Sequence, residues 1–365
     1  MKILLLVLVF LALIPASSRA QTIDHETLVK GLSSFFGPAE YPTTTLVHSH
    51  SNLSDGTWTL ERIAATAQYY GFRVVVMTDH LDCIGISAQD FKGYSERDPI
   101  ASFTKRVLET YLDFRGRTPK VAGIDYYLGT CRELSRTSGV LMIPGLEVTL
   151  GGFSDLVRPD GPGNIIHLLG IGYTTPQLYS NIRNYLGVRL QPYNKSEKSI
   201  ALRDAQIRVT RMMHEAGLAV VVAHPYLQPP QVLDWIYTFY KDVDIIPNKD
   251  DGVDGVGFFN GGWWDSRTGS DDKSMEAMGI IGRDKNMPPF RDLAPIAEAD
   301  FHGISSREMK RWEYMNMLSL IEPITCQPER YEKECEMIAD AIRDPASTII
   351  AVSSGRMMGG GGAHN

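Results

Sequence analysis

An α/β fold built on a largely parallel sheet, open or closed into a barrel, is the class this sequence predicts. Two observations carry it. Apolar, β-branched runs of strand length alternate along the chain with stretches of helical period, the pattern of successive βα units. Six of the nine histidines fall at or near the C-termini of those strand-like runs, the edge on which α/β sheets build their active sites.

Thr43 to His50 (TTTLVHSH) reads as the first strand. A helix follows from Thr59, its N-cap, to Tyr70, and Gly71 supplies the stop. Arg62 occupies the place where a capping box would need Glu or Gln, so that box is absent. Arg73 to Thr78 is a continuous run of the fully buried kind. Gly139 to Thr149, Ile165 to Gly172 and Leu218 to His224 each read as one strand, with weaker strand patterns at Val253 to Asn260 and Ile296 to Phe301. Helical periods cover Ile124 to Thr137, Ser196 to Ala216 and Val232 to Tyr240. Near the C-terminus come an element over Tyr314 to Ile321, a helix over Glu329 to Arg343 and a last strand, Ser347 to Val352.

Two stretches break the pattern. Residues 81–120 form an insertion with helix potential at Ile100 to Phe114, and residues 261–293 are rich in Gly, Asp, Trp and Met without a clear period. Long connections of this kind inside a domain are commonly functional. No repeat or linker divides the chain, so residues 43–355 read as one domain after an N-terminal segment, 21–42, and before a Gly-rich tail, 356–365.

Lys2, the apolar run Ile3 to Ile14, and Ser18 and Ala20 at the −3 and −1 positions describe a signal peptide over residues 1–20, cleaved after Ala20. The run is shorter than the ~20 apolar residues that span a bilayer. An exported protein, periplasmic or secreted and without a membrane span after cleavage, is therefore expected. A net charge of −7 and the lack of a basic cluster argue against a nucleic-acid partner. The four cysteines, Cys83, Cys131, Cys326 and Cys335, match no zinc-knuckle or CxxC spacing. In an exported protein Cys326 and Cys335 could close a short loop. The sequons at Asn52 and Asn194 are weak signals.

The chemistry-bearing residues are His48, His50, His80, His167, His224 and His302, accompanied by Asp55, Asp79, Glu147 and Asp300. Alternate side chains of a strand share a face, so His48 and His50 can reach one ion, with Asp55 on the turn that Gly56 allows. Imidazole and carboxylate together suit divalent manganese, zinc or iron. Asp79, beside His80, could hold an imidazole from behind. Glu147 could bridge two ions, and Asp300 with His302 repeats the alternating geometry. A single buried histidine is more often a satisfied core residue than a ligand. Six at successive strand ends have no common structural explanation, and the joint pattern points to a metal site. His25, His214 and His364 are read as structural or tail residues, Trp263–Trp264 as packing or a lip, and Asn260 and Arg73 as structural.

The ordered set HxHxxxxDG, TDH, a glutamate after Gly-Leu, an isolated strand histidine, AHP and a final DxH resembles the PHP superfamily, named for its polymerase and histidinol-phosphatase members. The resemblance runs from His48 to about Val352. It implies a distorted seven-stranded (β/α)7 barrel with two or three divalent ions at its C-terminal face. Carried over, it groups His48, His50, Glu147 and Asp300 at one ion, Glu147, His167 and His224 at a second, and Asp55, His80 and His302 at a third. One departure stands out: the strand before Asn260 reads Gly255-Val256-Gly257-Phe258-Phe259, where relatives often carry a glutamate.

Such a cluster favours hydrolysis, with metal-bound hydroxide as the expected nucleophile and a small, phosphorylated molecule as the expected substrate. Hydrolysis of a C–N or other acyl bond is the alternative within enzymes. A non-catalytic metal-containing binding protein is the alternative outside them; a broken ligand set would mark it, and every position here is filled.

Overall fold

The structure, a computed structural model, describes residues 41–54, 56–81, 124–150, 166–189, 195–224, 252–258, 293–303, 314–352 and 357–359. The segment read as a signal peptide, both unusual stretches after residue 81 and within 261–292, the helix expected at Val232 to Tyr240, Asp55, Cys83, Asn194, Asn260 and the tail except Met357–Gly359 lie outside these residues.

The fold is mixed α/β, with a nearly closed, barrel-like ring of strands. The ring comprises β1 (Tyr41–Ser49), β2 (Val74–Met77), β3 (Leu141–Pro144), β4 (Leu146–Leu150), β5 (Ile166–Ile171), β6 (Ala219–Val222), β7 (Gly255–Phe258) and β8 (Ala294–Phe301). β1 pairs in parallel with both β2 and β8, and β2 with β3, while β6, β7 and β8 form a second parallel run. Closure comes where β3 turns into β4, and one parallel bridge there ties His80 to Glu147. β9 (Tyr314–Leu320), β10 (Thr348–Val352) and β11 (Met357–Gly359) extend the sheet as an antiparallel arm from the first half of β1.

The run expected as one strand over Gly139 to Thr149 is two, broken at Gly145. A Cβ there would lie 2.5 Å from the Gly170 carbonyl oxygen and 2.8 Å from that of Met77, so only glycine lets the chain bend between β2 and β5. Hydrophobic periodicity reports burial, and both halves are buried. With β3 and β4 taken as one run the ring has the expected seven. It is less parallel than expected, because β5 runs antiparallel to both neighbours.

The helices are α1 (Leu60–Tyr69), α2 (Ile124–Ser138), α3 (Pro176–Arg189), which the sequence reading missed, α4 (Lys195–Glu215) and α5 (Tyr331–Arg343). Thr59 caps α1 by accepting the Arg62 backbone N–H at 3.3 Å. Leu60, Ile63, Ala64 and Ala67 form its buried stripe. Burying a side chain such as Ile63 contributes roughly 1.5–3 kcal/mol.

Alternate strand residues serve two layers. Val75, Met77, Met142 and Val220 pack outward with α1, α2 and α4, while Val74, Val76, Leu141 and Val221 point inward beside Ile338 and Ile342 of α5. That helix contacts β3, β6 and β9. Tyr331 donates to the Met142 carbonyl at 2.7 Å, and the Arg73 guanidinium to the Ile324 carbonyl at 3.1 Å. Both bonds lie where β2 and β3 begin, leaving the opposite end open for chemistry. Cys131, Cys326 and Cys335 are buried free thiols, so the loop closure expected between Cys326 and Cys335 is not formed.

Asn316 holds the fork between ring and arm. Its carboxamide accepts the Ala297 N–H at 2.8 Å and donates to the Ala297 carbonyl at 2.9 Å, standing in for a strand neighbour. Asn316→Leu is expected to destabilise the protein by about 1–3 kcal/mol for each backbone group left unsatisfied. Chemical denaturation checks this, and an unchanged midpoint would exclude the role.

Candidate metal centre

The open end gathers the sequence-predicted residues from six strands. His48 lies on β1, where the pairing with both β2 and β8 shifts register between Val47 and Ser49. Its φ is 71°, and Asp300 on β8 (41°) and His224 after β6 (28°) are also left-handed. Such backbone costs of order 1–3 kcal/mol per residue and persists where the surroundings over-determine it. His48 and His50 do reach a common point, as expected, but through a bulge at His48 rather than by plain alternation.

Around them the chain folds back tightly. The His50 N–H donates to the Phe301 carbonyl at 2.8 Å, and the Thr57 N–H to that of His302 at 2.7 Å. A Cβ on Gly56 would meet the His50 carbonyl oxygen at 2.2 Å, so glycine is required for this return. Asp79 sits beneath the turn: its carboxylate accepts the Ser51 N–H at 2.7 Å, the Ser51 hydroxyl at 3.0 Å and the Ser54 hydroxyl at 2.6 Å. Burial raises its pKa, against the charge of His50 and these hydrogen bonds.

Glu147 is the centre of the cluster. Its Oε2 lies 3.0 Å from His48 Nε2, 3.1 Å from His50 Nε2 and 3.8 Å from His80 Nε2. Its Oε1 lies 2.5 Å from His167 Nδ1 and 3.7 Å from His224 Nε2. Asp300 Oδ1 faces His48 and His50 at 3.4 and 3.5 Å and His302 at 3.7 Å. The electrostatics follow from these distances. Burial works to raise the pKa of Glu147, yet the imidazoles of His80, His167 and His48 hold it well below the carboxylate range. Asp300 is likewise held low against burial by His302 and His48. Burial lowers the pKa of His48, but Glu147 and Asp300 overcome it and raise it well above the ordinary value. At His167 burial prevails and the pKa falls.

Four sets of donor atoms, each set within 4.8 Å, could hold a cation. Glu147, His167 and His224 form one, the grouping the resemblance implied, and His48, His50 and Asp300 another, without the Glu147 that the resemblance placed among them. His80 and His302 come together with His50; Asp55, expected with them, lies outside the described residues. The fourth is His48, His224 and Glu298, a glutamate the sequence reading passed over. Its signal was a second acidic residue, two positions before Asp300, in a buried strand. Mixed imidazole and carboxylate donors, in sets that share His48, His50 and His224, fit divalent first-row ions.

His167 needs a correction. It lies at the start of β5, not at a strand C-terminus, and reaches the site because β5 runs antiparallel, pairing His167 with Thr149. His214, read as structural, pairs with Asp254 at 2.9 Å, away from the cluster. The site is graded in exposure: His48, His50 and Glu147 are buried, whereas His80, His167, Asp300 and His302 are partly open.

No protein-family model and no curated protein matches the chain. Similar solved structures include a two-domain protein from Bacteroides vulgatus containing a predicted PHP-like metal-dependent phosphoesterase. It is 13% identical at TM-score 0.44, covering 86% of this chain; this chain spans 66% of its length. A protein from Bifidobacterium adolescentis described as a metal-dependent phosphoesterase is 14% identical at TM-score 0.32, covering 71% of this chain and 87% of its own. An amidohydrolase from Chromobacterium violaceum is 12% identical at TM-score 0.39, covering 88% and 99%.

Because the oxygens of Glu147 face imidazoles that belong to different sets, Glu147→Ala is expected to remove more bound metal per chain than His302→Ala. Elemental analysis after gel filtration measures this, with circular dichroism to verify the fold. Equal stoichiometry in Glu147→Ala and the parent would remove Glu147 from the ligand set.

Proposed function

We propose that this chain is an exported, metal-dependent hydrolase of the PHP type acting on a phosphate ester. The observation that supports this most is the shared carboxylate: the two oxygens of Glu147 face different imidazoles, His48 and His50 on one side and His167 on the other. One residue could thus hold two adjacent cations. When bound, divalent ions supply an acidified water near neutral pH and draw negative charge from phosphoryl oxygens.

The chain's own residues would do the rest. His48, His50 and Glu147 form a buried floor in which a fixed arrangement resists hydration. His80, His167, Asp300 and His302 form the rim a substrate would meet. Export rests on the N-terminal sequence; among the described residues no helix is long and apolar enough to cross a membrane.

The test is a screen of the purified chain against phosphomonoesters, phosphodiesters and amides with added Mn²⁺, Zn²⁺ or Fe²⁺. Phosphate-ester cleavage is expected, suppressed by chelation and reduced at least about a hundred-fold, roughly 2.7 kcal/mol, in Glu147→Ala. Amide cleavage without ester cleavage would overturn the substrate class. Export predicts that protein recovered outside the producing cytoplasm begins at Gln21, as N-terminal sequencing would read; an intact Met1 there would refute cleavage.

A further inference from the structure

Glu298 is 1% exposed, and a buried carboxylate is costly unless its oxygens are matched. Among the described residues its matches are in the candidate metal centre. Oε2 lies 2.9 Å from His48 Nδ1, and the His224 backbone N–H lies 3.0 and 3.1 Å from Oε1 and Oε2. His48 and His224 are two of the three left-handed residues of the site.

To make these bonds Glu298 reaches from β8 past β7 to the chain leaving β6. It crosses at Gly257. A Cβ built on Gly257 would lie 0.9 Å from Glu298 Oε1 and 1.9 Å from its Cδ. The carboxylate therefore occupies the space that any side chain at 257 would fill.

We propose that Glu298 is a positioning residue of the metal centre and that Gly257 is the gap that admits it. Resting on the metal-centre reading above, the assignment follows from the two faces of the His48 ring. Nε2 faces Glu147 and Asp300, at 3.0 and 3.4 Å, and is the ligand atom. A ring that ligates through Nε2 carries its proton on Nδ1 and donates it to an outer carboxylate, which fixes tautomer and orientation. The second oxygen pair of contacts, to the His224 N–H, holds the strained peptide that aims the other imidazole. Glu298 is thus committed to hydrogen bonds behind the ligands, and the set His48, His224 and Glu298 is not a further cation site.

The experiment is a double-mutant cycle on the full chain, read by Co²⁺ and Zn²⁺ affinity in chelator competition and by the visible spectrum of the Co²⁺ form. Glu298→Gln, Glu298→Ala and Gly257→Ala are each expected to weaken binding about 10–100-fold and to shift the Co²⁺ bands. Gly257→Ala in the Glu298→Ala background is expected to cost nothing further, because the displaced group is already gone. Parent-like affinity and spectrum in folded Glu298→Gln would overturn the proposal, as would a full additional loss in the double variant. A lower melting temperature with unchanged affinity would assign Glu298 a structural role only, and overturn it too. A parent chain that binds neither ion would instead overturn the metal centre itself.

Discussion

Everything at the open end of this ring depends on one buried carboxylate. Glu147 sits at the second position of β4, where the chain has just bent at Gly145, and its backbone pairs with the segment after β2. The Leu81 N–H donates to its carbonyl at 2.9 Å and its own N–H to that of Asp79 at 3.3 Å. The residue that closes the ring is thus also the one whose side chain the imidazoles surround. A carboxylate this deep is tolerated only with charge or hydrogen bonds around it. The requirement that places histidines at several strand ends is therefore a requirement of folding as much as of chemistry.

The strain at His48, His224 and Asp300 belongs to the same account. A regular β1 would set His48 directly beside its neighbours on β2 and β8; the bulge turns its ring so that Nε2 meets Glu147 and Nδ1 meets Glu298. Each left-handed residue costs of order 1–3 kcal/mol, a sizeable share of a stability of about 5–15 kcal/mol. Hydrogen bonds on both sides of the bulge, from the His50 N–H to Phe301 and from the Thr78 N–H to Ser49, hold it in place.

Much of this was legible in the sequence, because burial leaves a periodic trace and metal ligands are few in kind. β1, β2, α1 and α5 lie within a few residues of their expected limits, Gly71 takes the left-handed turn that ends α1 at φ 80°, and the ordered histidines meet. What escaped depends on direction and partnership, which periodicity does not encode. The break at Gly145 is set by carbonyls on β2 and β5, remote in sequence. His167 reads as a strand histidine whichever way β5 runs. Glu298 looks like an incidental neighbour of Asp300 in a buried strand until Gly257 is placed beside it. Helix α3, with a weakly amphipathic sequence, gave no clear stripe.

The gradation of burial then separates holding from reacting. His48 and His50 are fully buried and bonded into the sheet, so rotating either ring would disturb β1 and both neighbouring strands. His80 and His302 lie just beyond β2 and β8 and His167 near the start of β5, all three partly open. Side chains in that position can adjust to a ligand without moving the floor. A site built this way keeps its charge arrangement rigid where water is excluded and leaves its adaptable part where another molecule can arrive. The division follows from topology. A strand paired on both sides can hold the His48 imidazole in a strained backbone, while positions at or just beyond strand ends, His80, His167 and His302, present theirs towards solvent.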